Sequence, residues 1–180
     1  MGILLAFAPF IAFAIVDRLS GPTEGLIAGA IVSAALLVRD LVQGRAAKVL
    51  EIGTAILFGG LALYALLGQP SWSVIGVRLV VDAGLLLVVL ASIALRRPFT
   101  LQYAREQVAP ELWQAPEFIR TNYVITAVWA LAFAVMVAAE LVLLYVPDVP
   151  PRAGIIVIVL ALVGAVKFTG WYPERQRASS

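Results

Sequence analysis

Residues 74–95 read VIGVRLVVDAGLLLVVLASIAL and run directly into the dibasic turn Arg96-Arg97-Pro98. The run exceeds the ~20 apolar residues that a helix needs to cross a bilayer. Its residues do not alternate between apolar and polar, so the pattern favours a helix over a barrel strand. This stretch therefore predicts a membrane-spanning helix, and the rest of the sequence repeats its pattern.

The composition extends the prediction to the whole chain of 180 residues, of which 62% are hydrophobic and 13% are charged. Soluble domains carry about 25% charged residues. The chain has no cysteine and no histidine, which removes disulfides, thiolate nucleophiles, imidazole bases and the commonest transition-metal ligands. A net charge of +2 is not typical of nucleic-acid binding. We expect no metal site, no cofactor and no nucleic-acid partner.

Six apolar segments predict an all-α, polytopic transmembrane helical bundle that forms a single domain over residues 1–180. The second segment carries Gly25, Gly29 and Ser33 at intervals of four, which is a small-residue face that lets another helix approach closely. The last segment ends in a polar tail at residues 173–180. The segments lie at residues 2–16, 25–38, 49–67, 74–95, 116–146 and 153–172.

The first segment is short for a span, so five spans with an interfacial N-terminal helix are the alternative to six. It has no basic region before its apolar residues, and we expect a retained helix rather than a signal peptide.

The basic residues indicate the orientation. The positive-inside rule places arginine and lysine in the loops that face the cytoplasm. With both termini cytoplasmic, the outside loops hold only Arg18 and Arg152. The remaining loop and tail cations would then be inside: Arg39, Arg45, Lys48, Arg96, Arg97, Arg105, Arg120, Arg175 and Arg177.

An outer polar layer follows from the positions of charges along the segments. Arg78 and Asp82 are four residues apart, so they share one helix face. With a rise of ~1.5 Å per residue, Glu140, Tyr64 and Asp17 fall at a similar height. Such groups face the bundle and find partners. Two interpretations stay open, an outward-facing polar pocket or ion path and a structural intrahelical pair of Arg78 with Asp82.

Glu51 and Lys167 form a predicted inner polar layer, since they fall at similar height near the cytoplasmic side. The alternative is that both side chains extend to the interface, which long charged side chains do readily.

The central stretch 97–120 is polar and aromatic, and it predicts a cytoplasmic, interfacial segment between spans four and five. Leu101, Ala104, Val108 and Leu112 recur at helical spacing, which indicates an amphipathic helix over residues 99–111 that lies in the interface. It is either a plain connector or a docking surface for a partner or lipid, with Phe118 among its aromatic anchors. The candidate surface comprises Arg96, Arg97, Tyr103, Arg105, Trp113, Arg120 and Asn122.

Several short motifs in a fixed order give the chain a family resemblance. They are Phe7-Ala8-Pro9-Phe10, Phe58-Gly59-Gly60-Leu61, Arg96-Arg97-Pro98, Asn122 and Trp129-Ala130. In order and spacing the chain resembles the intracellular septation protein A family of bacterial inner-membrane proteins, as a divergent member with a longer central connector.

The resemblance implies a multi-pass protein of the bacterial plasma membrane that supports cell-envelope upkeep and septation. It implies contacts with envelope-synthesis or division proteins. Membrane lipids are expected partners because Arg96 and Arg97 fall at headgroup level, and a homo-oligomer stays open. It implies no catalytic residue. The alternatives are a small transporter or channel that uses the outer polar layer and, less well supported, an enzyme that acts on a lipid or isoprenoid.

Overall fold

The structure is a computed structural model that describes residues 5–68, 70–71 and 73–178, with the side chains described as far as residue 176. In this part of the chain seven α-helices and one short 3-10 helix occur, and no strand. The helices are α1 (Ala8–Ser20), α2 (Pro22–Val42), α3 (Val49–Gly68), α4 (Val74–Ala94), α5 (Phe99–Arg105), the 3-10 helix (Pro110–Leu112), α6 (Pro116–Tyr145) and α7 (Pro151–Ala178).

Five of these helices, α2, α3, α4, α6 and α7, are long and apolar enough to cross a membrane. The all-α prediction is confirmed, and five of the six predicted segments have helices of the required length. The first segment has the helix α1 of 13 residues, which is shorter than the ~20 residues of a span. Because residues 1–4 lie outside the described part, the choice between six and five spans stays a prediction.

Proline and glycine set several of the helix boundaries. Pro22, Pro116 and Pro151 begin α2, α6 and α7, where a missing N–H and a fixed φ do no harm. Gly21 separates α1 from α2 with a φ of 123°, which a side chain would oppose. Its N–H donates to the Asp17 carbonyl at 3.1 Å. The chain therefore turns sharply at a residue without a side chain.

The first of two compact units comprises the described residues up to Val88. In it α1 packs on α2, and α2 packs on α3. Phe58 lies at the centre of the apolar core, with its ring 4.9 Å from that of Phe10 and 5.7 Å from that of Phe13. The predicted small-residue face of α2 is buried, and a Cβ added to Gly29 would lie 2.5 Å from the Phe58 ring. The core therefore depends on close approach of α2 and α3.

The second unit begins at Val89, so the division falls within α4. Here α6 packs on α7 and on the short helix α5. Trp129 is buried on α6, and its Nε1 donates to Thr169 Oγ1 of α7 at 3.0 Å. Its ring also contacts those of Phe99 and Phe133. A single transmembrane domain over the whole chain stays a prediction.

The predicted polar tail continues the last helix. α7 runs to Ala178 and contains Pro173 in its interior. Near this point the guanidinium of Arg175 lies 5.1 Å from the centre of the Trp171 ring. The described part of residues 173–180 is therefore helical, and Ser179 and Ser180 lie outside the described residues.

Candidate functional site

Arg78 forms an ion pair with Asp17 of α1. Its Nε and Nη2 donate to Asp17 Oδ2 at 3.1 and 2.7 Å. The Asp17 side chain is fully buried, whereas that of Arg78 is 31% exposed. Hydrogen bonds between ionised groups are about twice as strong as neutral ones. The pair therefore fastens α1 to α4 inside the first unit, and the sequence had placed Arg78 on one face with Asp82.

A glycine on α2 makes room for this carboxylate. A Cβ added to Gly25 would lie 2.8 Å from Asp17 Cβ and 3.0 Å from its backbone nitrogen. Asp17 Oδ1 is buried and has no hydrogen-bond partner among the described residues. Close packing of the two helices thus excludes water from the carboxylate and leaves Arg78 as its counter-ion.

The other members of the predicted outer layer differ in exposure. Asp82 and Glu140 are 9% and 3% exposed, as expected for charged groups within candidate spans. Tyr64 is more than half exposed on α3. Asp82 belongs to the first unit and Glu140 to the second, so their common layer stays a prediction.

A second charged cluster joins the end of α2 to the start of α3. Lys48 Nζ donates to Asp40 Oδ2 at 2.6 Å and to Glu51 Oε1 at 3.2 Å. Arg39 Nη2 lies 2.6 Å from the other Asp40 oxygen. The positive charges of Arg39 and Lys48 therefore neutralise the negative charges of the two carboxylates. All of these side chains except that of Arg39 are buried.

This cluster includes Glu51 of the predicted inner layer but was not foreseen from the sequence. One signal was present, because Lys48 directly precedes α3 and Glu51 occupies the third helical position, as in a capping box. The Glu51 carboxylate does reach back to the Lys48 N–H, at 3.4 Å. Lys167 is exposed on α7 in the second unit, and its predicted relation to Glu51 stays a prediction.

The helix α2 ends in a Schellman motif, in which a left-handed residue follows the helix. Gly44 has a φ of 68°, and its N–H donates to the Leu41 carbonyl. The N–H of Arg45 donates to the Asp40 carbonyl at 2.9 Å. These bonds satisfy carbonyls that the helix leaves free, and glycine is the usual residue at the left-handed position.

The helix α4 ends in the same motif with arginine in place of glycine. Arg96 has a φ of 56° and is the only described non-glycine residue with a positive φ. Its N–H donates to the Ile93 carbonyl, and that of Arg97 donates to the Ser92 carbonyl. The left-handed conformation costs a residue with a Cβ roughly 1–2 kcal/mol. Both arginine side chains are exposed.

The short helix α5 is largely buried against the helix α6, and its predicted position in the membrane interface stays a prediction. Phe99, Thr100, Leu101 and Tyr103 are buried. Thr100 Oγ1 donates to the Asn122 carbonyl at 2.8 Å and lies 2.7 Å from Thr126 Oγ1. Leu101 of the predicted apolar stripe is thus buried, whereas Leu112 is 51% exposed. Tyr103 of the candidate surface is 3% exposed, and its part in docking stays a prediction.

The predicted helix over 99–111 ends early, at Arg105. Pro110 disfavours helical geometry at the preceding residue, and Ala109 is extended, with a ψ of 146°. Trp113 Nε1 donates to the Arg105 and Val108 carbonyls at 3.1 and 3.3 Å. The Arg105 guanidinium lies 5.7 Å from the centre of the Trp113 ring, and its Nε is buried without a hydrogen-bond partner among the described residues.

The remaining residues of the candidate surface divide into a buried and an accessible group. Asn122 is buried, and its Nδ2 donates to the Phe118 carbonyl at 2.8 Å. Arg120 is exposed, while Trp113 and Phe118 are half-buried. The accessible part of the surface is therefore mainly cationic.

Among the described residues no group of three or more acidic side chains is placed to hold a metal ion. The fold belongs to the class of all-helical proteins with several helices able to cross a membrane. No family model matches the chain, and neither a curated protein nor a solved structure matches it.

Proposed function

We propose that the chain is a multi-pass protein of the bacterial plasma membrane that supports envelope maintenance and septation through contacts with other proteins or with lipids. The observation that carries this proposal is the difference between buried carboxylates, which are paired, and arginines, which are exposed. The carboxylates of Asp17 and Asp40 form ion pairs that join helices, whereas Arg96, Arg97 and Arg120 remain exposed. Paired buried charges favour a structural bundle, and accessible arginines favour recognition of a partner.

The proposed topology has six spans, with both termini and residues 97–120 in the cytoplasm. The positive-inside rule supports it, since the loops assigned to the outside hold only Arg18 and Arg152. Five spans, with α1 in the outer interface, would keep every other loop on the same side. The likeness to the septation protein A family supports the role in septation.

The second candidate is a small transporter or channel. It is favoured by Asp82 and Glu140, which are buried carboxylates within candidate spans, because ionisable groups at such positions commonly mark transport paths.

A deletion strain separates these proposals. We expect cells without the gene to become longer and more sensitive to inhibitors of cell-wall synthesis, and the intact gene to restore both properties. An Asp82→Asn/Glu140→Gln variant that inserts normally should also restore them, because the proposal gives these carboxylates no transport role. Its failure to complement would favour the transporter. Normal division in the deletion strain under envelope stress would contradict the septation proposal.

Cross-linking in living cells tests the partner contact. A photoreactive residue at Arg120, exposed and assigned to the cytoplasm, should capture a membrane protein of cell-wall synthesis or division, or a second copy of this chain. The matched control is the same residue at Arg152, which is exposed and assigned to the outside. Equal capture of the same proteins from both positions would contradict a specific cytoplasmic surface.

A further inference from the structure

The turn after α4 keeps an arginine where its conformation favours glycine. The caps of α2 and α4 have the same hydrogen bonds, and Gly44 and Arg96 hold the same left-handed position. Glycine adopts this conformation freely, whereas arginine does not. Strained residues concentrate at functional sites, where the side chain has a use. The arginine at position 96 therefore points to a role for its side chain.

The two guanidinium groups of this turn are available to a ligand. Arg96 and Arg97 are exposed, and within the described chain neither side chain has a hydrogen bond or an ion pair. Buried residues before and after the turn fix its backbone. Ser92 and Phe99 are fully buried, and the Phe99 N–H donates to Ser92 Oγ at 3.3 Å. A fixed backbone therefore presents two free cations.

Arg105, at the other end of α5, supplies a second and independent observation. Its Nε is buried without a hydrogen-bond partner among the described residues, and burying an unsatisfied donor is unfavourable. The group that would satisfy it is an oxygen acceptor, and an anionic oxygen binds guanidinium most strongly. The seven-residue helix α5 begins after the turn at Arg96-Arg97 and ends at Arg105. With a rise of ~1.5 Å per residue, the helix is roughly 10 Å long.

We infer that Arg96 and Arg97, which precede α5, and Arg105, its last residue, bind the phosphate groups of anionic phospholipids. This inference rests on the proposed membrane location. Arg96 and Arg97 follow a candidate span of 21 residues with only Leu95 between, so in the proposed topology they lie where the phosphates of the cytoplasmic leaflet are found. The planar guanidinium matches phosphate geometry, and a tryptophan such as Trp113 is typical of the headgroup region.

Lipid titration of the purified full chain tests the inference. Phosphatidylglycerol or phosphatidylcholine is added to the protein in neutral detergent, and bound lipid is counted by native mass spectrometry. We expect tighter binding of phosphatidylglycerol. Each of Arg97→Gln and Arg105→Gln should weaken that binding about fivefold, while Arg152→Gln, at an exposed arginine of α7, should leave it unchanged. Equal weakening by Arg152→Gln would overturn the inference.

Arg96→Gly distinguishes a lipid contact from a purely structural turn. The variant removes the side chain and relieves the left-handed strain, so we expect a thermal midpoint in neutral detergent at or above that of the unaltered protein. Its affinity for phosphatidylglycerol should nevertheless fall about fivefold. Unchanged affinity would show that the arginine has no lipid role.

The source of the phosphate is tested separately. Inorganic phosphate at the same free concentration should not displace phosphatidylglycerol, and displacement would overturn the lipid assignment. These measurements use purified protein, so a loss of lipid selectivity is distinguishable from a normal deletion phenotype. The first would contradict this inference, and the second would contradict the septation proposal.

Discussion

At the scale of single residues, Asp17 carries a charge in the interior of the first unit. Its side chain is fully buried and has Arg78 as counter-ion. Removing one member of a buried pair is strongly destabilising, because the other charge is left without compensation. The pair is therefore a structural requirement whether or not the outer polar layer has a further function.

Arg78→Gln should lower the free energy of unfolding by ~3 kcal/mol, at the lower end of the range for buried pairs because Arg78 is partly exposed. The double variant Asp17→Asn/Arg78→Gln should recover part of this loss, since no charge stays buried. Thermal unfolding in neutral detergent provides the measurement. Arg18→Gln is the matched control at an exposed neighbour, and a single variant as stable as the unaltered protein would rule out this role.

At the scale of helices, close contact at glycine positions determines how α1, α2 and α3 pack. Gly25 faces the backbone of Asp17, and Gly29 faces the ring of Phe58. Gly60 on α3 is exposed, and a Cβ there would meet nothing within 4 Å. The same residue type thus has opposite roles in neighbouring helices.

Gly25→Ala should destabilise the protein by ~1–3 kcal/mol, because the added methyl group overpacks a contact whose nearest atoms belong partly to the backbone. Gly60→Ala should be neutral or stabilising by up to ~1 kcal/mol, since alanine favours helix. Both are measured by thermal unfolding in the same detergent. Equal effects at the two positions would contradict the packing argument.

Sequence periodicity predicted the small-residue face of α2 because that face repeats with the helix. It could not predict the pairing of Arg78 with Asp17, since spacing shows only neighbours within a helix and these residues are 61 apart. The spacing of apolar residues predicted a helix at α5. Such spacing does not show whether the apolar residues contact lipid or another helix. A left-handed arginine gives no sequence signal either, because the usual signal at that position is glycine.

At the scale of the whole molecule, the positive residues predict an orientation that can be measured directly. Single cysteines can be introduced without removing others, since the chain has none. Asp148 and Gln107 are both exposed and are assigned to opposite sides. They therefore report on the two faces of the membrane.

In intact cells a membrane-impermeant maleimide should label Asp148→Cys, whereas Gln107→Cys should react only after lysis. The reason is the excess of arginine and lysine in the loops assigned to the inside. Ser20→Cys should behave like Asp148→Cys. The reverse pattern would invert the proposed topology. A cysteine placed before Met1 separates the two span counts, because it is protected with six spans and labelled with five.

The charged cluster at the α2–α3 turn also bears on the order in which the chain assembles. Lys48 and Asp40 are only eight residues apart, so little conformational entropy is lost when their loop closes. This contact can form as soon as the ribosome has delivered α2 and the first turn of α3. The pair of Arg78 with Asp17 must wait until α4 has been synthesised. The α2–α3 hairpin would thus gain its local ion pair early, and the ion pair that joins α1 to α4 would form only later.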